Sequence, residues 1–339
     1  MRFGLIGYGA WGKFHAEAIV KAPGAELAAI ACASEASAAA ARARHPAAKL
    51  YLDWRVLLAD ASLDAVDIVV PNHLHAEITI AALEAGKNVL LEKPMAGTIA
   101  DCDRIVDAVR RTGRVLSVGH ELRCSAQWGL IRRLIGQGEI GEPLYANASL
   151  FRFPYRQGSG GWRYERNHVG SWILEEPVHF FDLLMWWFEE LGDPTAVHGF
   201  GNSKDRGPGM YDNFSAVMRW PGGAYACVTQ TLAGFEHHHV VEVTGREGSI
   251  RTWWSGEMDR TSEPKHQLKM QLKGRSHSEI VELAASGEVF ELDEELAATV
   301  RAFEVGKPLV SAEEARKRII VCLEAERAVA EGKEIALSF

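Results

Sequence analysis

The chain has 339 residues, a length that favours two domains. Of these residues 47% are hydrophobic and 24% are charged, a composition typical of a globular protein. The formal net charge of -8 argues against a nucleic acid as the main partner, although a pocket has its own local field and can accept a small anion. The five cysteines are widely spaced without a C-x-x-C, which favours a reducing compartment over a disulfide framework. Because the first strand begins at once and no apolar run reaches membrane-spanning length, we expect a cytoplasmic protein without signal peptide or membrane segment.

The chain opens on a glycine-rich turn typical of dinucleotide-binding folds. Gly7, Gly9 and Gly12 are spaced as G-x-G-x-x-G after a short apolar strand, and a helix is predicted from Ala10 to Val20. In such a turn the first glycine allows the bend, the second lets the backbone approach a pyrophosphate, and the third lets the helix pack closely. The helix N-terminus then faces the phosphates. We predict a cofactor site formed by the three glycines together with Ala10 and Trp11.

The second predicted strand, 25–32, ends without the carboxylate that holds the adenosine ribose in many NAD enzymes. Cys32 occupies that position. Ser34 is a predicted cofactor contact and can bond a 2'-phosphate, whereas Glu35 either accepts the ribose hydroxyls or is a first-turn acid of the helix predicted at 34–44. The sequence therefore leaves NAD and NADP both open.

Alternating helices and strands continue to about residue 122 and predict a doubly wound parallel sheet. Continuous apolar strands are predicted at 65–70, 88–91 and 114–118. The carboxyl ends of such strands border the crevice in which doubly wound sheets bind ligands. We therefore predict cofactor contacts among the residues that follow two of these strands: Pro71, Asn72, His75, Glu92, Lys93 and Pro94.

Two of these residues carry alternative interpretations. His75 either begins a helix near the cofactor phosphates or lies at the surface. Lys93 either forms a solvated pair with Glu92, which is of little energetic value, or points into the crevice, where its amino group polarises or protonates a substrate oxygen.

The second half of the chain changes pattern and predicts antiparallel strands with glycine and proline turns. The polar segment 256–275 is predicted to be an irregular, mobile excursion. A helix is predicted at 127–136, and helices at 291–304 and 312–331 close the chain. The predicted strands are 144–153, 196–201, 214–220, 225–232, 240–244 and 249–254.

Candidate substrate groups lie in a glycine-rich stretch, 154–171, and in the helix predicted at 177–190. The stretch contains Trp162 and Arg163, which are typical of a substrate loop. Four arginines in or just before this stretch either bind an anionic sugar or are solvated charges. They are Arg152, Arg156, Arg163 and Arg166.

A metal site is an alternative at the helix entrance, where Glu175, His179 and Asp182 are close in sequence. No H-E-x-x-H spacing is present, so we predict no metal there. The histidines 237–239 are also ambiguous, because alternate residues of a strand face opposite sides.

Together these motifs resemble the glucose-fructose oxidoreductase and inositol dehydrogenase family, Gfo/Idh/MocA, over essentially the whole chain. Glu-Lys-Pro followed by a distant His-x-x-Asp is more specific than the glycine motif. The matching motifs are Gly7-x-Gly9-x-x-Gly12, Pro71-Asn72-x-x-His75, Glu92-Lys93-Pro94, Gly119-His120-x-x-Arg123 and the stretch from Gly170 to Asp182.

The resemblance implies an NAD(P)-dependent oxidoreductase of sugars, polyols and related compounds. It implies an N-terminal Rossmann domain, a C-terminal α/β domain on an open, mainly antiparallel sheet, and dimers or tetramers formed through that sheet. We assign residues 1–122 to cofactor binding and 123–339 to substrate binding and oligomerisation.

The resemblance also implies that Lys93 is the catalytic lysine and His179 the substrate-binding or acid/base histidine. Many relatives carry Asp where this chain has Glu175, and glycine at Ser171 and Pro177, which predicts a pocket of different depth. The predicted substrate contacts are Glu121, Arg123, Trp162, Arg163 and Glu175.

The leading hypothesis is a dehydrogenase or reductase of a sugar, glycoside or polyol, in which Lys93 acts on the substrate hydroxyl and His179 relays the proton or orients the substrate. An anionic sugar is a second choice of substrate. The alternatives are a glycosidase that uses tightly held NAD for transient oxidation, and a cofactor-binding sensor, against which Lys93 and His179 weigh. The expected partners are a small carbohydrate and further copies of the chain, with no nucleic acid or membrane.

Overall fold

The computed structural model describes residues 1–204, 210–232 and 234–339, and they form two compact units. The first unit comprises Met1–Glu121, Gly158–Gly170 and Leu292–Ile319. The second comprises Leu122–Gln157, Ser171–Glu291 and Ile320–Phe339. Each unit therefore contains segments from distant parts of the chain. The functional ranges 1–122 and 123–339 stay predictions.

The first unit contains a parallel sheet with the strand order β3-β2-β1-β4-β5-β6 in the described part of the chain. Apart from the edge strand β3, its strands are mostly buried, as continuous apolar runs require when helices cover both faces of a sheet. The predicted doubly wound parallel sheet is confirmed. In chain order, β1 to β6 are Arg2–Ile6, Glu26–Ala31, Lys49–Tyr51, Ala65–Ile68, Asn88–Glu92 and Leu116–Gly119.

The helices begin and end at residues whose side chains or backbone conformations suit those positions. The hydroxyls of Ser34 and Thr98 each accept an N–H bond from the first turn of the helix that follows. Gly113 ends the helix that Thr98 begins, with its backbone in the left-handed region at φ 64°. In chain order, α1 to α10 are Gly12–Lys21, Glu35–Arg44, Trp54–Leu58, His75–Glu84, Ile99–Thr112, Trp128–Gly136, Arg166–Val169, Pro177–Trp187, Glu288–Glu304 and Ala312–Glu331.

The second unit is built on a mainly antiparallel sheet, which confirms the predicted fold class. Across the described strands the order is β14-β13-β12-β11-β7-β10-β9-β8-β15, and β7 and β10 form its parallel pair. In chain order, β7 to β15 are Pro143–Phe151, Ala196–Asn202, Asn213–Arg219, Tyr225–Thr231, His237–Gly245, Gly248–Gly256, Lys265–Leu272, Glu279–Val281 and Ile335–Ala336.

One segment of this sheet corrects the sequence-based prediction. Residues 256–275 were expected to be irregular, but β13, Lys265–Leu272, lies within that range and pairs with β12 along the whole length of β13. Its side chains are mostly polar, and Leu268 is fully buried. Backbone pairing to a strand with a stronger pattern therefore fixes β13.

The core of the first unit includes a helix from near the end of the chain. Phe3 and Leu5 of β1 and Ile19 of α1 are fully or almost fully buried in the same cluster as Leu296 and Phe303 of α9. The rings of Phe3 and Phe303 lie 6.3 Å apart. The N-terminal sheet is thus covered in part by residues that are synthesised late.

Candidate functional site

The glycine turn after β1 leaves room for the pyrophosphate of a dinucleotide cofactor. A Cβ on Gly7, whose φ is +106°, would lie 2.1 Å from the carbonyl oxygen of Val69, and one on Gly12 would lie 2.1 Å from that of Gly7. Both positions require glycine because backbone approaches backbone. A Cβ on Gly9 would meet no heavy atom of the described residues within 4 Å. This open space directly before α1 fits a dinucleotide pyrophosphate.

Strand register brings three of the predicted motifs to one edge of the first sheet. Ile6 pairs with Ile68, and Ile68 pairs with Leu91, so β1, β4 and β5 end side by side. The glycine turn, Asn72 and Lys93 each follow one of these ends. The strand order also reverses between β1 and β4, which is where doubly wound sheets bind ligands.

A buried ion cluster connects α1 to β4 and β5 in the first unit. We use this name for His15, Asp67 and Glu92, which are at most 6% exposed. His15 Nδ1 lies 2.7 Å from Asp67 Oδ2, and its Nε2 lies 2.9 Å from Glu92 Oε1. The indole N–H of Trp11, in the glycine turn, donates to the same Glu92 oxygen at 2.9 Å. An imidazolium donates from both nitrogens and so reaches one oxygen of each carboxylate.

The charges of the cluster hold one another in place. Burial alone lowers the pKa of His15, but the carboxylates of Asp67 and Glu92 outweigh it and raise that pKa to about 10. Burial raises the pKa of Glu92, but the hydrogen bond and charge of His15 lower it to about 2. The pKa of buried Glu295 is raised well above its usual value by burial and by the charge of Glu92. The charge of Glu92 and burial therefore both disfavour the ionised form of Glu295.

Lys93 follows β5 directly and is half-buried. The peptide bond between Lys93 and Pro94 is cis. His75 is fully buried at the first position of α4, so its interpretation as a surface residue is wrong. Its Nδ1 lies 2.7 Å from the carbonyl oxygen of Pro94, and its Nε2 lies 2.9 Å from that of Val70. The His75 ring thus joins the segment after β4 to the segment that carries Lys93.

The end of β2 is occupied by a buried thiol and a helix cap. Cys32 is buried, and the Ser34 hydroxyl accepts the N–H of Ser37 at 3.2 Å. Glu35 is exposed at the first position of α2. The predicted contacts of Ser34 with a cofactor stay a prediction.

The predicted substrate residues are divided between the two units. Glu121 is buried in the first unit. Trp162 and Arg163 also belong to it, with the guanidinium 4.5 Å from the indole centroid. The residues in the second unit are Arg123, Glu175 and His179.

Arg123 is held by a two-point ion pair with Asp182 of α8. Its Nε and Nη2 donate to the two carboxylate oxygens at 2.8 and 2.6 Å. This ion pair occupies both carboxylate oxygens of Asp182, which the alternative of a metal site at Glu175, His179 and Asp182 required as ligands. Among the residues described, no three His, Cys, Asp or Glu side chains are placed to hold a metal ion.

The second unit contains a cleft lined mainly by carboxyl, histidine and tryptophan side chains, which we call the acidic cleft. Its space between atoms, counting the open mouth, is about 340 Å³. His179, in the first turn of α8, is 2% exposed and lines this cleft together with Glu176, the residue before α8. The lining residues are Leu122, Trp128, Glu176, His179, His239, Trp254, Asp259, Gly287, Glu288 and Glu291.

Arginines hold three carboxylates of the acidic cleft without lining it. Arg152, itself buried, forms an ion pair with Glu176. Arg156 Nη2 donates to Asp259 Oδ1 at 2.8 Å. Arg260 Nε lies 3.5 Å from Glu288 Oε2.

The fourth carboxyl group, Glu291, is held by neutral donors. The Ser286 hydroxyl and the Gly287 N–H donate to its Oε1 at 2.7 and 3.0 Å. The indole N–H of Trp254 donates to the Ser286 carbonyl oxygen at 2.8 Å. The ring of His239 stacks on Trp254 with centroids 5.4 Å apart. These contacts fix one wall of the acidic cleft.

Several residues of these sites had not been predicted from the sequence. A signal existed for the ion cluster, because Asp67 interrupts an apolar strand that is buried on both faces and so needs a partner. The acidic cleft offered none, since Glu176, Asp259 and Glu288 come from separate segments that only the fold brings together.

Two family models match the chain. Residues 1–120 match the Gfo/Idh/MocA oxidoreductase family model, described as an NAD-binding Rossmann fold. Residues 128–251 match the Gfo/Idh/MocA C-terminal domain. Within the described ranges, no helix has the length and apolar character that crossing a membrane requires.

Characterised proteins are similar in sequence and in fold. The chain is 32% identical over 253 residues to 1,5-anhydro-D-fructose reductase of Ensifer adhaerens, with 74% of each chain covered. It is 30% identical over 288 residues to levoglucosan dehydrogenase of Pseudarthrobacter phenanthrenivorans, with 74% of this chain and 73% of that protein covered. A solved structure of levoglucosan dehydrogenase, in complex with NADH and levoglucosan, has a TM-score of 0.87 at 24% identity, with 100% of both chains covered.

Proposed function

Because the chain belongs to the Gfo/Idh/MocA oxidoreductase family, we propose that it transfers hydride between a secondary alcohol of a sugar or polyol and a nicotinamide cofactor. The observation that carries this proposal is the position of Lys93, half-buried at the sheet edge where the glycine turn and Asn72 also lie. The names of the two similar proteins refer to sugar derivatives, which supports the substrate class.

The proposed chemistry gives separate roles to Lys93 and His179. When bound, the nicotinamide supplies a hydride acceptor or donor. Lys93 in its neutral form takes the proton of the substrate hydroxyl during oxidation, and its ammonium returns a proton to the carbonyl oxygen during reduction. His179 hydrogen-bonds the substrate and relays the proton. Trp11 and His15 each form one hydrogen bond with Glu92, the neighbour of Lys93.

The cofactor site is proposed to consist of the glycine turn with Ala10 and Trp11, the residues after β4 and β5, and Ser34. The open space beside Gly9 supports the pyrophosphate position. Fluorescence titration with NADH and with NADPH determines which nicotinamide binds.

The test of the proposed function is Lys93→Ala with Lys307→Ala, an exposed lysine of the same unit, as the control. A panel of sugars and polyols is read at the nicotinamide absorbance with the cofactor that binds. We expect kcat to fall by about 10²–10⁴ in Lys93→Ala, with cofactor affinity and melting temperature retained. Turnover within a few-fold of the parent would reject the role of Lys93.

The same assays separate the other mechanisms. Cofactor that survives purification, with glycoside cleavage that needs no added NAD, would indicate transient oxidation. Cofactor binding without any turnover would indicate a sensor.

We also propose that the chain assembles into dimers or tetramers in the cytoplasm through its second sheet. Alternate residues of β7 such as Ala148 are buried, whereas the opposite face carries exposed aromatic side chains on neighbouring strands. Phe151, Phe200 and Tyr225 are 48, 70 and 43% exposed. Light scattering at micromolar concentration tests this, and a mass of one chain would contradict it.

A further inference from the structure

One carboxylate oxygen connects the glycine turn to the end of β5. Glu92 Oε1 accepts the indole N–H of Trp11 at 2.9 Å and lies 2.9 Å from His15 Nε2. Trp11 directly precedes Gly12, the first residue of α1. Glu92 is the last residue of β5 and directly precedes Lys93. The side chain of Trp11 therefore reaches from the turn to the strand end that carries Lys93.

The hydrogen bond between Trp11 and Glu92 joins a neutral donor to an ionised acceptor. Burial raises the pKa of Glu92, but the hydrogen bond and charge of His15 lower it to about 2, so this carboxyl group is charged at neutral pH. Hydrogen bonds to an ionised acceptor are roughly twice as strong as those between neutral groups. The indole also packs edge-on against the His15 ring, with centroids 5.3 Å apart. The two contacts together fix the orientation of the indole.

A second contact holds the chain on the other side of Lys93. His75 is fully buried, and its Nδ1 lies 2.7 Å from the carbonyl oxygen of Pro94. Glu92 is therefore held from the beginning of α1, and Pro94 is held from the beginning of α4. The residues before and after Lys93 are both fixed, and so is the point from which its side chain starts.

The proposed chemistry needs a constant distance between Lys93 and the cofactor. In the proposed function the glycine turn holds the pyrophosphate, so the position of the turn sets the position of the cofactor. A misplacement of about 1 Å between reacting groups can cost about 10²-fold in rate. A hydrogen bond from the turn to the neighbour of Lys93 limits the variation of that distance.

We propose that Trp11 is a positioning residue, whose indole N–H keeps the glycine turn and Lys93 at a fixed separation through Glu92. The inference rests on the proposed function for the roles of the turn and of Lys93. It goes beyond that function because it gives the Trp11 side chain a task separate from contact with the cofactor. Loss of the indole N–H should therefore slow hydride transfer more than it weakens cofactor binding.

The first test measures hydrogen exchange of the full chain without cofactor. Trp11→Phe removes the indole N–H and keeps an aromatic ring. Trp54→Phe, at the half-buried first residue of α3 in the same unit, is the matched control. We expect the peptide that covers residues 91–97 to exchange several-fold faster in Trp11→Phe than in the parent, and to be unchanged in Trp54→Phe. Melting temperatures close to that of the parent show that both variants are folded.

The second test separates positioning from binding. The rate of hydride transfer is read at the nicotinamide absorbance in a single turnover, with saturating cofactor and the preferred sugar of the panel. We expect this rate to fall about five- to tenfold in Trp11→Phe, while the Kd of the cofactor stays within about threefold of the parent. Trp54→Phe should retain both. A single turnover is used because product release then does not mask the chemical step.

The outcomes separate this inference from the proposed function. Unchanged exchange at 91–97 in Trp11→Phe, a hydride-transfer rate within about twofold of the parent, or a loss confined to cofactor affinity would each overturn the inference. Turnover that depends on Lys93 would still support the proposed function in those cases. If the parent turns over no sugar, the proposed function fails. Faster exchange in Trp11→Phe would then still support the connection between the turn and Lys93, and unchanged exchange would overturn it.

Discussion

The buried ion cluster of the first unit and the acidic cleft of the second unit hold carboxylates in opposite ways. In the ion cluster the cation lies between two carboxylates and almost no surface remains for a ligand. In the acidic cleft the cations that pair with Glu176, Asp259 and Glu288 lie outside the lining. The first arrangement suits a fixed support. Substitutions in the cluster should therefore cost more stability than substitutions in the cleft.

The largest expected effect comes from His15→Ala. Removing the imidazolium leaves Asp67 and Glu92 as buried carboxylates without their cation, which costs about 3–5 kcal/mol of unfolding free energy. Urea denaturation measures the change. A loss below about 1 kcal/mol would show that the cluster is not a fixed support.

The next effect contrasts enclosed and open positions of the glycine turn. Gly7→Ala forces a Cβ against the Val69 carbonyl oxygen at a positive φ, so we expect a loss of about 2 kcal/mol or more. Gly9→Ala points into open space and should cost less than about 1 kcal/mol, while weakening cofactor binding by filling the path of the pyrophosphate. Thermal unfolding and NADH titration separate the two. Equal stability losses would contradict the assignment of the open space.

The pH dependence of stability offers a third distinction. The pKa of His15 is raised in the folded state to about 10. Its contribution to the free energy of unfolding is therefore complete below about pH 6.5 and is lost as the pH rises toward about 10. The melting temperature should therefore fall more steeply between pH 7 and 10 in the parent than in His15→Gln. Parallel curves would mean that His15 does not keep its proton.

The smallest expected effect is on the cleft side. Glu291→Gln keeps an oxygen for the Ser286 hydroxyl and the Gly287 N–H, and the neutral form of Glu291 is already favoured by burial. The unfolding free energy should change by less than about 1 kcal/mol, measured by urea denaturation beside His15→Ala. A loss as large as that of His15→Ala would remove the difference between the two regions.

Local patterns predicted most of the fold, because the hydrophobic period of helices and strands and the residue types of turns depend on neighbouring residues. The glycine turn, the apolar parallel strands and the helix at Pro177 follow from such patterns. β13 was missed because its alternation is obscured by lysine and glutamine side chains at the sheet surface. Backbone pairing to β12 determines that strand, and pairing is a property of two distant segments.

The site residues also differ in whether a local motif predicts them or only the fold brings them together. Lys93 and His179 were predicted as catalytic residues because their motifs are short and resemble those of a known family. Asp259 and Glu288 lie in segments whose local sequence indicates no site. The fold brings each of them to the cleft and into an ion pair, Asp259 with Arg156 and Glu288 with Arg260. Sequence reasoning therefore identified candidates for chemistry more readily than residues that only the fold brings together.

The position of α9 in the core of the first unit sets the order in which the protein can mature. Leu296, Val300 and Phe303 pack with Phe3 and Ile19, yet the ribosome produces them almost 300 residues later. The nascent N-terminal sheet consequently emerges with part of its apolar surface uncovered, and it stays so until nearly the whole chain has been translated. Because exposed apolar surface on a partly folded chain favours aggregation, we expect the yield of folded protein to depend on elongation speed and chaperone supply.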